Sequence, residues 1–108
     1  MFARSVSFHL KPGRRTEFTQ TFEKDIIPML RKHKGFQDEI AFVAPNGTDA
    51  VGISFWDLKE NADTYARGGY ASVLKSMEHV VEGTPQVHSY EVNNSTFHKI
   101  AAPVFARS

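Results

Sequence analysis

A tryptophan and two tyrosines, Trp56, Tyr65 and Tyr70, fall close together in the chain, and their spacing is the first sign of chemistry. The stretch SFWDLKENADTYA, residues 54–66, changes period midway: it opens with strand alternation and continues as an amphipathic helix. Trp56 shares a strand face with Ser54, Gly52 and Ala50, and small side chains beside a large aromatic leave room above a sheet. Tyr65 lies on the apolar stripe of the following helix and looks down toward that space, while Tyr70, at the next helix start, closes the rim. Val6 and Phe8, on the apolar face of the first strand, complete the expected lining. Aromatic walls with a few hydroxyls suit a flat apolar ligand that carries one or two polar handles. The competing expectation is that Gly52 and Ser54 simply admit a helix and Trp56 fills the core.

Ionisable residues that could meet such a polar handle are few. His9 and His88 lie on strands and are the imidazole candidates, whereas His79 sits off its helix stripe and reads as solvated. Arg67, beside a glycine pair, can hold an anionic oxygen, although a helix-end charge is its ordinary role. The five histidines show no H-x-H, H-E-x-x-H or H-x-x-x-H spacing, so neither a metal site nor a cofactor is expected. There is no G-x-G-x-x-G run, and Ser7, Ser54 and Ser89 have no evident His–Asp frame. Asp38 and Glu39 are adjacent, point to opposite strand faces and do not act as a pair.

Composition narrows the class. The chain has 108 residues, 41% of them apolar and 23% charged, which fits one domain with one core. A net charge of +1, with only "RR" at 14–15 and "RKHK" at 31–34 as basic points, lacks the broad basic face that nucleic acid demands. No apolar run is long enough to cross a bilayer, and MFARSVSFHL alternates like a strand instead of forming a leader's apolar block. The absence of cysteine excludes disulfides and thiol nucleophiles and fits a reducing cytoplasm.

The elements that position these residues follow from periodicity. Phe2, Val6, Phe8 and Leu10 share one face of a first strand. Phe18, Phe22, Ile26, Met29, Leu30 and His33 make a helical stripe, bent or tightened at Pro28 and ended by Gly35. Strands at 36–44 and 50–56 flank the turn PNGTD and form a hairpin. Asp57 caps the next helix, and Glu60 stands at capping-box spacing. RGG at 67–69 breaks that helix. A further helix carries Tyr70, Val73, Leu74, Met77 and Val81 until Gly83 and Pro85 stop it, and a last strand spans 86–94. The order is βαββαβ: an α+β, ferredoxin-like antiparallel sheet with helices on one face. Val51, Ile53 and Phe55 face away from the Trp56 side, so both sheet faces are apolar, and a homodimer packed sheet to sheet is expected. The domain is drawn at 1–98, with 99–108 as a C-terminal tail or arm.

Over residues 1–96 the pattern resembles the antibiotic biosynthesis monooxygenase (ABM) domain, through LKPGRRTEF, KGFQ and FWDLKENADTYARGGY. The resemblance implies a dimeric α+β barrel. It also implies one of three roles: cofactor-independent oxygenation of phenolic or quinol-like compounds, haem degradation, or no assigned reaction. Trp56 matches the family's tryptophan at the end of strand three, but the family's two histidine positions are here Tyr65 and Tyr70. The haem-degrading branch's asparagine, tryptophan and haem-ligating histidine fall at Val6, Tyr65 and near Lys75, which argues against haem degradation. The asparagine of the polyketide-oxidising branch is here Gly52. The leading expectation is a small dimeric monooxygenase that uses dioxygen on a small phenolic or quinol-type aromatic. The alternatives are a non-enzymatic dimeric ligand-binding protein and a dimer whose pocket has degenerated.

Overall fold

Strict alternation makes residues 2–10 a strand because an apolar face at every second position can be buried only by an extended chain. In the computed structural model, which describes residues 1–100, this is β1 (Phe2–Leu10). A helical run follows in three joined pieces, α1 (Arg15–Thr21), a π-helical turn (Phe22–Ile26) and α2 (Ile27–Arg31). Then come β2 (Phe36–Val43), β3 (Asp49–Trp56), α3 (Lys59–Gly68), α4 (Tyr70–Met77) and β4 (Val81–Glu91). The strands form one antiparallel sheet in the order β2-β3-β1-β4, with the helices on one face, as in the ferredoxin-like fold. No helix among the described residues is long and apolar enough to cross a membrane.

The core lies between the sheet and the helices. Phe8, Leu10, Ala50 and Trp56 from the strands meet Phe18, Phe22, Ile26 and Leu30 from the helical run, and Ala62, Tyr65, Val73 and Met77 from α3 and α4. Phe8, Phe18 and Phe22 form a chain of tilted rings at 5.5 and 5.4 Å. Trp56 is fully buried: Phe36 meets it edge-on at 5.6 Å and Tyr65 stacks on it at 4.9 Å. The α3–α4 break occurs where a backbone must come close. A Cβ on Gly69 would lie 2.5 Å from His33 Nε2 and 2.9 Å from Tyr65 Cδ1.

Several local expectations give way to tertiary structure. Pro28 produces a π-helical turn rather than a simple bend: the Ile27 N–H reaches back five residues to the Phe22 carbonyl, just ahead of the missing donor. The capping box does not form. The Asp57 carboxylate accepts from the Leu58 N–H at 2.6 Å and Asn61 Nδ2 at 2.8 Å, and Glu60 stays exposed. The last helix ends at Met77, and β4 begins at Val81, five residues before the expected 86. Val81 pairs with Leu10 and Glu82 with His9, so strand pairing overrides a helical spacing that Val81 also satisfies. Gly83, at φ +77°, and Pro85 do not end a helix. They sit in a bulge where Gly83, Thr84 and Pro85 oppose Phe8 alone, so the proline's missing N–H costs no ladder bond.

The opposite sheet face is apolar and partly bare. Ile40 pairs with Ile53 and Phe42 with Val51, while Phe42 and Tyr90 are 54% and 57% exposed. The chain folds one piece of itself onto this face: His98 packs on Phe55 at 5.4 Å and meets Asp38 at 3.0 Å. Of the expected tail 99–108, residues 101–108 lie outside the described residues. Because Trp56 is enclosed by the Phe36 and Tyr65 rings, Trp56→Ala is expected to lower the unfolding free energy by about 3–5 kcal/mol, read from the midpoint of a urea titration. A loss below about 1 kcal/mol would show that the ring does not support the core.

Candidate functional site

Pairing register decides what the sheet presents to the helices. Arg4 lies opposite Ser54, Val6 opposite Gly52 and Phe8 opposite Ala50, all on the helix side. On the other flank of β3, Glu39 lies opposite Ser54 and Ala41 opposite Gly52. A cavity of about 550 Å³ stands on this floor. Its ceiling comes from Phe22, Ile26 and Leu30 of the helical run, Tyr65 of α3, and Tyr70, Val73 and Met77 of α4. Exposed Lys75, Glu78 and Thr84 mark the opening to solvent.

Of the residues proposed to line a pocket, Val6, Phe8, Gly52, Ser54, Tyr65 and Tyr70 border this cavity, and Trp56 does not. Trp56 stands behind Tyr65, and its Nε1–H donates to Ser54 Oγ at 2.9 Å, which orients the serine hydroxyl. Gly52 keeps the floor low. A Cβ there would meet only Phe8 and Phe22 carbons, at 3.9 and 4.0 Å, so space rather than backbone strain is what the glycine provides.

The proposed catalytic side chains are not brought to the cavity. His9 points from the other sheet face, mostly exposed, with Nδ1 2.6 Å from Asp49 Oδ1. His88 pairs with Ser5 on that same outer face and is exposed. Both occupy the strand parity opposite to Arg4 and Val6, which is the physical reason they miss. Arg67 is exposed in the last turn of α3 and donates to Thr64 Oγ1 at 3.4 Å.

Two other charged residues stand there instead. Arg4 is 5% exposed, with its guanidinium carbon 4.8 Å from the Tyr70 ring centre and 5.4 Å from that of Tyr65. The two rings give the cation favourable contacts without neutralising it. Glu39 enters from β2. Arg4 Nε and Glu39 Oε1 are the two buried side-chain polar atoms that lack a hydrogen-bond partner among the described residues. Burial pushes the Glu39 carboxyl up from 4.5 to about 6. Burial also pushes the Tyr65 phenol up to about 12, against the opposing pull of Arg4, and raises Tyr70 for the same reason. Both phenols therefore stay protonated at neutral pH, leaving Glu39 as a lining group that changes charge near physiological pH.

Sequence reasoning missed both residues, though each left a signal. Arg4 lies at an even position of β1 among Phe2, Val6 and Phe8, and the same alternation that buried them placed it inward. Glu39 and Asp38 do face opposite ways, but which one faces in depends on a bulge. Phe36 pairs with Trp56 and Asp38 with Phe55, so Gln37 is an extra residue that resets the parity.

No protein-family model and no curated protein matches the sequence. Solved structures match it by shape. The monooxygenase ActVA-Orf6 of Streptomyces coelicolor, in complex with the ligand nanaomycin D, superposes with TM-score 0.72 at 15% identity, over 87% of this chain and 88% of that one. SnoaB, a cofactor-independent oxygenase from Streptomyces nogalater, gives 0.70 at 13%, over 88% and 95%. NE2512 of Nitrosomonas europaea, a protein of unknown function, gives 0.70 at 16%, over 88% and 91%. Identity this low establishes the fold, and the fold is that of the antibiotic biosynthesis monooxygenase proteins.

Proposed function

We propose that the protein is a cofactor-independent monooxygenase acting on a small phenolic or quinol-type aromatic compound. The observation that carries this reading is the cavity of about 550 Å³ between sheet and helices, walled by Tyr65, Tyr70 and Phe22 and carrying a few convergent polar groups. Its volume and its mix of apolar surface with sparse polar atoms suit a flat aromatic of two or three rings. Two solved structures of the same fold support the class: one is a monooxygenase in complex with nanaomycin D, the other a cofactor-independent oxygenase.

In this reading the substrate's acidic hydroxyl gives up a proton, and the electron-rich anion passes an electron to dioxygen. The protein supplies orientation, an apolar enclosure and a cationic group for the anion. Neutral Tyr65 and Tyr70 flank that space and compete for no proton.

The working unit is a homodimer. Ile40, Phe42 and Tyr90 are exposed on the face away from the cavity, and a second copy laid sheet to sheet covers them. Light scattering after size-exclusion chromatography is expected to give twice the chain mass, and Phe42→Glu to shift the population to the single-chain mass. A wild-type monomer at micromolar concentration rules the dimer out. For the activity, oxygen uptake with a panel of quinols is expected to exceed the protein-free rate. Gly52→Leu, which fills the cavity floor, should abolish the excess while the protein keeps its native circular dichroism. If no quinol raises uptake, the enzyme reading falls and ligand binding without turnover takes its place.

A further inference from the structure

Arg4 and Glu39 share a property that no other described side chain has: each buries a polar atom for which the fold supplies no partner. Leaving such atoms unpaired is unfavourable, so two of them in one cavity mark a place where something else makes the bonds. They come from strands that do not touch. Between them runs β3, with Ser54 opposite both, so their backbones stand roughly 10 Å apart, two strand spacings. The pair is thus a cation and a carboxyl group on either side of a serine, with a flat apolar space above. A single-point ligand would satisfy one atom and leave the other. A planar molecule with oxygens on opposite edges satisfies both.

Building on the oxygenase reading of this cavity, we propose that Glu39 is the general base and Arg4 the anion holder. The substrate is a flat hydroxyaromatic that carries a conjugated oxygen on the edge opposite its hydroxyl. In the step, the substrate O–H bond breaks and its proton forms an O–H bond on the Glu39 carboxylate. The electron pair stays on the substrate, delocalises through the ring and accumulates on the far oxygen, where Arg4 donates its free Nε–H. No oxidant enters until dioxygen meets the anion. Three observations converge on the assignment. Both residues reach the cavity, both carry the orphaned atoms, and the guanidinium rests on Tyr65 and Tyr70 rings that brace it without quenching its charge. The raised Glu39 carboxyl suits the role, since a base that gains its charge at about pH 6 is ready at neutral pH and strong enough to matter. The other charged groups around Glu39 are Arg15 and Glu23 of the helical run, in a groove on its far side, Lys75 and Glu78 of α4 at the cavity mouth, and Arg4 across the serine.

4-Nitrophenol is the probe. It carries a hydroxyl and a conjugated oxygen on opposite edges, does not react with oxygen, and turns yellow when ionised. With wild-type protein, affinity should rise as pH climbs through about 6, and the bound probe should show the anion spectrum at a pH where the free probe is colourless. Glu39→Gln should move the midpoint of the rise from about 6 up to the probe's own ionisation. If the midpoint stays at about 6 in Glu39→Gln, another group is responsible and the assignment fails. Arg4→Met should keep the bound probe colourless and weaken it roughly ten-fold or more, whereas Arg4→Lys should keep the anion spectrum at lower affinity. Circular dichroism melting confirms that each variant is folded, and Glu39→Gln, nearly isosteric, carries the test if Arg4→Met is not. Failure of the wild type to bind the probe or to ionise it overturns the proposal. Ionising binding without oxygen uptake from any quinol sinks the oxygenase reading and keeps this one. Oxygen uptake that Glu39→Gln leaves intact does the reverse.

Discussion

The register between β1 and its neighbour β3 is the constraint from which the cavity follows. Arg4, Ser54 and Glu39 form one row across three strands, and Val6, Gly52 and Ala41 form the next. Side chains alternate along a strand, so a slip of one residue would send Arg4, Val6 and Phe8 outward and bring Ser5 and Ser7 in. What resists the slip is apolar burial. Phe8 and Leu10 of β1 are 7% and 1% exposed and lie on the same side as Arg4, so a slip of β1 would expose them together. The energy that fixes the fold therefore also aims Arg4, while Glu39 depends in addition on the bulge at Gln37.

Aiming them inward has a cost. A guanidinium removed from water must recover what it loses, and an ion pair with Glu39 would be the direct remedy. The structure takes another. Two tyrosine rings within 4.8 and 5.4 Å stabilise the cation through their faces and remain uncharged, because burial holds Tyr65 up at about 12. The positive charge stays available to a ligand. Glu39 bears the opposite consequence. Its carboxyl is raised in the fold, so the stability tied to its protonated form is complete below its ordinary value near 4.5 and is lost as pH rises through about 6. At neutral pH the fold carries an ionised group it would be more stable without. The destabilisation is confined to one row of the sheet.

Most of the architecture was legible because it rests on periodicity. Phe2, Val6, Phe8 and Leu10 announce β1 by alternation, Phe18, Phe22, Ile26 and Leu30 announce the helical run by turns of 3.6 residues, and PNGTD announces the hairpin through turn chemistry. The order of elements then leaves few topologies. What could not be read is where long-range pairing overrules local preference. Val81 satisfies the helical stripe of Val73 and Met77 as well as the strand partner of Leu10, and only the presence of β1 decides between them. Asp57 has the chemistry of a cap, but Asn61 and Leu58 engage it otherwise. At the site, residue type misleads where strand parity decides: the imidazoles of His9 and His88 point away from the cavity, and Arg4, a charge on an apolar face, is the informative exception.

The bulge at Gln37 shows how one irregularity can serve both faces. Without the extra residue, β2 would hold a single alternation from Phe36 onward, and a strand that turned Phe36 toward Trp56 would turn Asp38 the same way and Glu39 outward. With it, Asp38 faces out, where it meets His98, and Glu39 faces the cavity beside Ser54. Ile40 and Phe42 follow Asp38 onto the outer face, and Ala41 and Val43 follow Glu39 inward, so small and branched residues border the groove beneath the helical run. The outer face is thereby divided. His98 covers Phe55 at one end of β3, and Ile40 and Phe42 stay exposed toward the other. A single inserted residue, invisible to any count of alternation, thus sets both the carboxyl group that faces the cavity and the outward placement of Ile40 and Phe42.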